Sequence, residues 1–294
     1  MDADYAPIFF AAANGHLDQI RELAPHSSKT DLNQALAEAA SLSQLEAAVL
    51  LLEFGAEPNG LYHADYGTVL FPACERLNPE GIRFLLKQGA DPKQTVLRFD
   101  GPRDALTHLF HTPFRSPLKA ACVYLLLRAG APPAVDPAVL AIHRESLEAL
   151  REALDADPEA LRRPIPDDYG LHPLQQASLL HLAVEFNQPT LAQELLDRGL
   201  DVNQPAGEIP GTVKTAPVWP TRLVPLGGQT PLFHARGHSK EMLRFLLDRG
   251  ADPACTARFL RKGRTVRLTA QEFFQAIDDI ECNLLEELLI LRGV

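Results

Sequence analysis

The stretch SLLHLAVEFNQPTLAQELLDRGLDVN, residues 178–203, holds two apolar segments joined by a short polar turn. It closes on Leu195-Leu196, two polar residues, Gly199 and an acidic exit. That ending reads as a helix stop. The Leu pair forms the last buried turn, and the glycine takes the left-handed conformation that a Cβ resists. The ending recurs in LLLEFGAEPN (to Asn59), LLKQGADPK (to Lys93), LLLRAGAPP (to Pro133) and LLDRGADP (to Pro253), where Pro also keeps the helix from continuing. The anchor glycines are Gly55, Gly89, Gly130, Gly199 and Gly250, separated by 34, 41, 69 and 51 positions. One spacing is a single unit, one is close to two, and two are a unit plus an insertion. A period near 33 indicates a solenoid.

Upstream of the glycines, 178–203 resembles the ankyrin unit, in which a Thr-Pro-Leu-His-x-Ala helix start precedes a second helix ending Leu-Leu-x-x-Gly-Ala-Asp. PIFFAAANGHLDQIREL (7–23) fits with its Gly15-His16 turn, and TVLFPACERLNPEGIRFLLKQGADP (68–92) fits without a gap. TPLFHARGHSKEMLRFLLDRGADP (230–253) keeps Thr-Pro-Leu but has a first helix about two residues short. Looser units span 34–59, 104–133 (with about five extra residues between its helices), 137–159 and 269–293. The resemblance implies an all-α ankyrin-repeat solenoid of eight units over nearly the whole chain. Each unit is a helix, a turn, an antiparallel helix and an extended finger, stacked into one array over 1–294 with residues 269–294 as its cap.

Within that register, GEIPGTVKTAPVWPTRLVPLGGQ (207–229) is not a linker. The segment 204–229 is a finger between units six and seven, lengthened by about 18 residues. Its five Pro from 205 to 225 stiffen it and limit the entropy lost on ordering. A second finger, RFLRKGRTVRL (258–268), alternates apolar and polar residues around Lys262-Gly263 like a short hairpin. It carries Arg258, Arg261, Lys262, Arg264 and Arg267 and no acid, whereas six acids follow between Glu272 and Glu287. The hairpin therefore either lies against its own acidic cap or engages an acidic partner.

The chain has 294 residues, 46% hydrophobic and 22% charged, enough apolar side chain for a sizeable core. A net charge of −10 argues against sequence-independent nucleic-acid binding, which needs Lys and Arg against phosphate. Cys74, Cys122, Cys255 and Cys282 form no close pair, which favours a reducing compartment and buried thiols. The N-terminal residues lack a signal-peptide pattern, and no run reads as a membrane span. The expectation is a cytoplasmic monomer, its Ala, Leu, Arg and Pro richness of the kind found in GC-rich bacterial genomes.

No phosphate-binding glycine loop or nucleophile elbow appears. His108/His111 and His234/His238 invite a metal reading, but no third ligand stands at a recognisable spacing. The resemblance instead gives His16 and His181 structural roles at a turn and a finger. Asp167-Asp168 suit a turn, and Asp278-Asp279 suit the polar face of a cap. The expectation is thus no catalytic residues, no metal and no cofactor.

The resemblance places binding on finger tips and the exposed, concave faces of first helices. The candidate contacts are Tyr62, His63, Tyr66, Phe99, Tyr169, His172, Trp219, Arg222, Arg261, Lys262 and Arg264, with Phe259 also on a finger. Tyr, Trp and Arg are enriched in interface hot spots. The implied partner is another protein, a basic one being favoured by the net charge, with neither nucleic acid nor membrane involved. Two roles fit: a cytosolic immunity or inhibitor protein, and an adaptor or host-directed effector. A reading of another class is an enzyme or small-ligand binder with a pocket beneath the 204–229 finger.

Overall fold

The computed structural model of the chain describes residues 5–63, 67–98, 101–110, 112, 117–133, 135–165, 176–207, 223–235, 240–261 and 264–276. The chain forms two compact units, Met1–Ala134 and Val135–Val294.

In the first unit, helices pair as α1 (Pro7–Ala13) with α2 (Leu17–Leu23), α3 (Lys29–Ser41) with α4 (Leu45–Glu53), α5 (Leu70–Glu75) with α6 (Pro79–Lys87), and α7 (Ala105–Phe110) with α8 (Pro117–Arg128). Their starts follow from local chemistry. Ser28 and Asp31 form a reciprocal capping box on α3. Asn78 accepts from the Glu80 and Gly81 N–H groups ahead of α6, with Pro79 at its first position. The first helices α1, α3, α5 and α7 adjoin in sequence order. Ala35, Ala37, Ala39 and Ala40 are buried on α3, and small side chains there allow close stacking.

The second unit repeats the plan with α9 (Pro137–His143) and α10 (Leu147–Ala156), then α11 (Leu179–Glu185) and α12 (Pro189–Asp197). In the seventh repeat the first helix shrinks to a 3-10 turn, Pro231–His234, before α13 (Lys240–Asp248). It is shorter than the sequence indicates. The unit ends, within the described residues, at α14 (Ala270–Ala276).

All five anchor glycines have positive φ, between +85° and +96°. At each, the next residue's N–H reaches back to a carbonyl five residues earlier, as in Ala56 to Leu51 and Ala251 to Leu246, both at 3.0 Å. This is the Schellman stop that the Leu-Leu-x-x-Gly pattern encodes.

Fingers are more ordered than an extended segment. β1 (Leu61–His63) pairs antiparallel with β2 (Gly67–Thr68), and β3 (Val96–Arg98) with β4 (Gly101–Arg103). The basic segment forms the expected hairpin, β6 (Thr256–Arg261) with β7 (Arg264–Thr269). An unanticipated strand, β5 (Leu223–Gly227) from the end of the long finger, completes a sheet of order β5-β6-β7.

Candidate protein-binding surface

Fingers are held by a recurring asparagine clamp. Asn59 Nδ2 donates to the Gly89 carbonyl at 2.9 Å while its Oδ1 accepts from the Asp91 N–H at 2.6 Å. In the second unit Asn203 repeats the arrangement, to the Gly250 carbonyl at 2.9 Å and the Asp252 N–H at 2.7 Å. The first clamp spans 30 positions and the second 47, although the geometry is the same. Asn203 and Asp252 thus keep the clamp geometry that Asn59 and Asp91 have across a shorter stretch of chain. Its base is closed by Ala206, whose N–H donates to the Gln229 carbonyl at 2.7 Å and whose carbonyl accepts from Gly228 at 3.0 Å. The finger after α10 is closed similarly by Ile165 and Ala177 at 2.8 Å.

The finger hairpins of the first unit expose apolar side chains. Leu97 on β3 is 79% exposed and Leu61 on β1 is 39% exposed. Sequence reasoning missed both, since a lone Leu in a finger resembles core. Behind them, Leu70–Cys74 of α5 is buried from end to end, and in the second unit so are α11 and the turn Pro231–His234. These three elements offer no exposed side chain, whereas on other helices Phe10 of α1, Val49 of α4 and Leu118 and Tyr124 of α8 are exposed.

Of the candidate contacts, Tyr62 lies half-buried on β1, and Arg261 and Arg264 are exposed and directly opposite each other across β6 and β7. His63 lies on β1 by its backbone. Tyr66, Phe99, Tyr169, His172, Trp219, Arg222 and Lys262 lie outside the described residues. Phe259 corrects the sequence reading: it is fully buried and stacks on Phe273 at 4.8 Å, beside Phe233. Strand alternation turns Ala257 and Phe259 to the core, so this ring is structural.

The described histidines serve the framework. His181 accepts the Ser178 N–H at Nδ1 (3.1 Å), and its Nε2 donates to the Gln229 carbonyl at the long finger's base (3.0 Å). This is the finger contact the resemblance implies. Burial, and then the neighbouring His234, lower the His181 pKa to about 3. His234 Nδ1 meets Glu185 Oε2 at 2.9 Å, both side chains 1% exposed. The same kind of link joins His108 on α7 to Glu75 on α5 at 3.0 Å, with His108 stacked on Phe71. His16 is exposed at its turn, facing Gln19 Oε1 at 3.3 Å. His111, His238 and both Asp pairs lie outside the described residues.

Cys74 and Cys122 are buried, as their helices imply. Burial raises both thiols, Cys122 to about 12, so neither supplies a thiolate near neutral pH. Sequence reasoning also missed Lys119, which is buried with its Nζ donating to the Phe110 and Thr112 carbonyls at 3.3 and 3.1 Å. A cation there satisfies carbonyls left open at the end of α7. Among the described residues no cluster of His, Cys, Asp and Glu is arranged to hold a metal, and no helix is long and apolar enough to cross a membrane.

Paired helices, glycine stops and clamped fingers define a helical repeat protein. The family model described as ankyrin repeats (3 copies) matches residues 8–96, and that described as ankyrin repeat matches 227–258. Over these two stretches the chain consists of ankyrin repeats. The solved structures similar to it include the human ASB11 ankyrin repeat domain, 19% identical, with a TM-score of 0.40 over 96% of this chain and 97% of that one. None of the curated proteins compared matches the chain.

Proposed function

We propose that the chain is a non-enzymatic module that binds another protein through its fingers. The observation that carries this is the exposure of Leu61 and Leu97 on finger hairpins while Leu70–Cys74 of α5 is buried. Apolar side chains held outward on ordered hairpins cost solvation that a partner surface would recover. Ankyrin repeats generally serve protein–protein interaction, which supports the same reading. The sharper role we favour is a cytosolic immunity or inhibitor protein. A net charge of −10 would steer a basic target toward it. An adaptor or effector scaffold is the competing role, and a second module in the natural context would favour it.

Affinity capture from the native host, with mass spectrometry, tests the reading. We expect one dominant protein, lost with Leu61→Ser/Leu97→Ser and weakened by Trp219→Ala/Arg222→Ala. Retention of that partner by both variants, with their melting temperatures unchanged, would refute binding through the fingers.

A further inference from the structure

Among the described residues, strand β7 is the edge of the β5-β6-β7 sheet. It pairs with β6 from Thr256↔Thr269 to Arg261↔Arg264, and among the described residues no other backbone partner meets positions 264–268. The Thr269 N–H turns away from β6 to Glu272 Oε2 at 2.8 Å. Orientation repeats every second residue in an antiparallel ladder, so Thr265 and Arg267 also aim their N–H and C=O groups outward.

The charge on this sheet is one-sided. Arg264 on β7 faces Arg261, and Arg267 faces Arg258. Arg261, Arg264 and Arg267 are exposed, and residues 258–268 contain no acid. Like charges directly opposite on a sheet are destabilising. Basic side chains do protect an edge, because a second copy pairing there would set Arg against Arg. They do not protect it against a strand bearing carboxylates, which would turn each repulsion into attraction. The one described acid of the following run, Glu272, is engaged in capping α14. The rest of that run places Leu284, Leu285, Leu288 and Leu289 at helical spacing, without strand alternation.

We propose that β7 docks an extended acidic segment of a partner protein as the fourth strand of the β5-β6-β7 sheet. Backbone groups of Thr265 and Arg267 would supply the ladder, while Arg264 on one face of the sheet and Arg267 on the other would each select a carboxylate on its own face of the added strand. This rests on the reading of the chain as a protein-binding module and adds a mode and a partner chemistry to it.

The test is fluorescence anisotropy of a labelled ten-residue peptide of Val and Thr with Glu at every third position, so that carboxylates face both Arg264 and Arg267, titrated with the full chain. We expect binding that weakens at least tenfold with Arg264→Glu/Arg267→Glu. N-methylation of alternate peptide residues, which blocks ladder donors and leaves every charge, should give a similar loss without altering the protein. Thr265→Pro removes one outward N–H and should weaken binding several-fold, provided its melting temperature is that of the parent. Undiminished binding of the N-methylated peptide would reduce the site to a charge patch and overturn strand addition. Equal competition by a single-stranded oligonucleotide, or no binding at all, would overturn it too. The natural partner distinguishes this failure from that of the broader reading. If Leu61→Ser/Leu97→Ser loses the partner and Arg264→Glu/Arg267→Glu keeps it, the strand proposal fails while finger binding stands.

Discussion

The turns between paired helices show what a single position can hide. Gly15, Ser43, Leu77, Glu145 and Asn187 all take positive φ, between +50° and +68°, yet only one of the five is glycine. A left-handed residue with a Cβ is strained by about 1–2 kcal/mol. Exposed Glu145 is the cleanest site for a test. Glu145→Gly should raise the stability of the second unit by about 0.5–1 kcal/mol, and Glu145→Val should lower it, as chemical denaturation would read. The stop glycines and the Gly15 turn were legible because glycine marks them, whereas the left-handed positions at Ser43, Leu77, Glu145 and Asn187 were not, because no glycine there announces a positive φ. His181 gives a pH prediction. Its pKa is about 3 folded against 6.5 unfolded, so between those values the unfolded chain binds more protons. Its contribution is complete above pH 6.5 and is lost as pH falls toward 3. From pH 7 to 5 the native protein should lose about 2 kcal/mol more than His181→Asn does, in a comparison of denaturation midpoints that holds the adjoining His234 and Glu185 constant.

Among elements, α6 depends on how closely its first turn approaches α3. A Cβ at Gly81 would overlap the Ala40 carbonyl, and Asn78 Nδ2 donates to the Ser41 carbonyl at 2.9 Å in the same place. Gly81→Ala should destabilise the first unit by about 2–3 kcal/mol, read by the loss of helical signal on heating. In the second unit Phe259→Ala should cost about 3–5 kcal/mol, because it empties the aromatic cluster with Phe233 and Phe273. Helices were read well from sequence because each carries a cap, a period and a stop. β5 was not, and the reason is Pro225, which argues against a central strand. Its place at the edge of the β5-β6-β7 order removes that objection, since an edge residue need not donate on its open side. Phe259 was misread for a related reason: alternation establishes that one side of a hairpin is apolar but not whether a core lies beneath it.

For the molecule as a whole, the balance of charge sets the kinetics of encounter. A net −10 spread over the chain and a basic hairpin in its second unit act on different partners. If a basic target binds the fingers, its association rate should fall steeply with added salt while dissociation changes little, as stopped-flow mixing would show. The repeat architecture was legible at this scale, because a period survives substitutions that erase any one motif. The binding surface was only partly so: ring-bearing finger residues stand out by type, but the exposure of Leu61 and Leu97 depends on hairpins that the sequence did not announce.

The clamp at Asn203 and the closed base at Ala206 have a consequence for how this protein can change over generations. Because Ala206 and Gln229 are bonded to each other, the chain leaves and rejoins the repeats at neighbouring points. Between ends joined in this way, doubling the length of chain costs only about 0.6 kcal/mol more of closure entropy. Foreign sequence grafted between Ala206 and Gln229 should therefore be carried without loss of the repeats on either side.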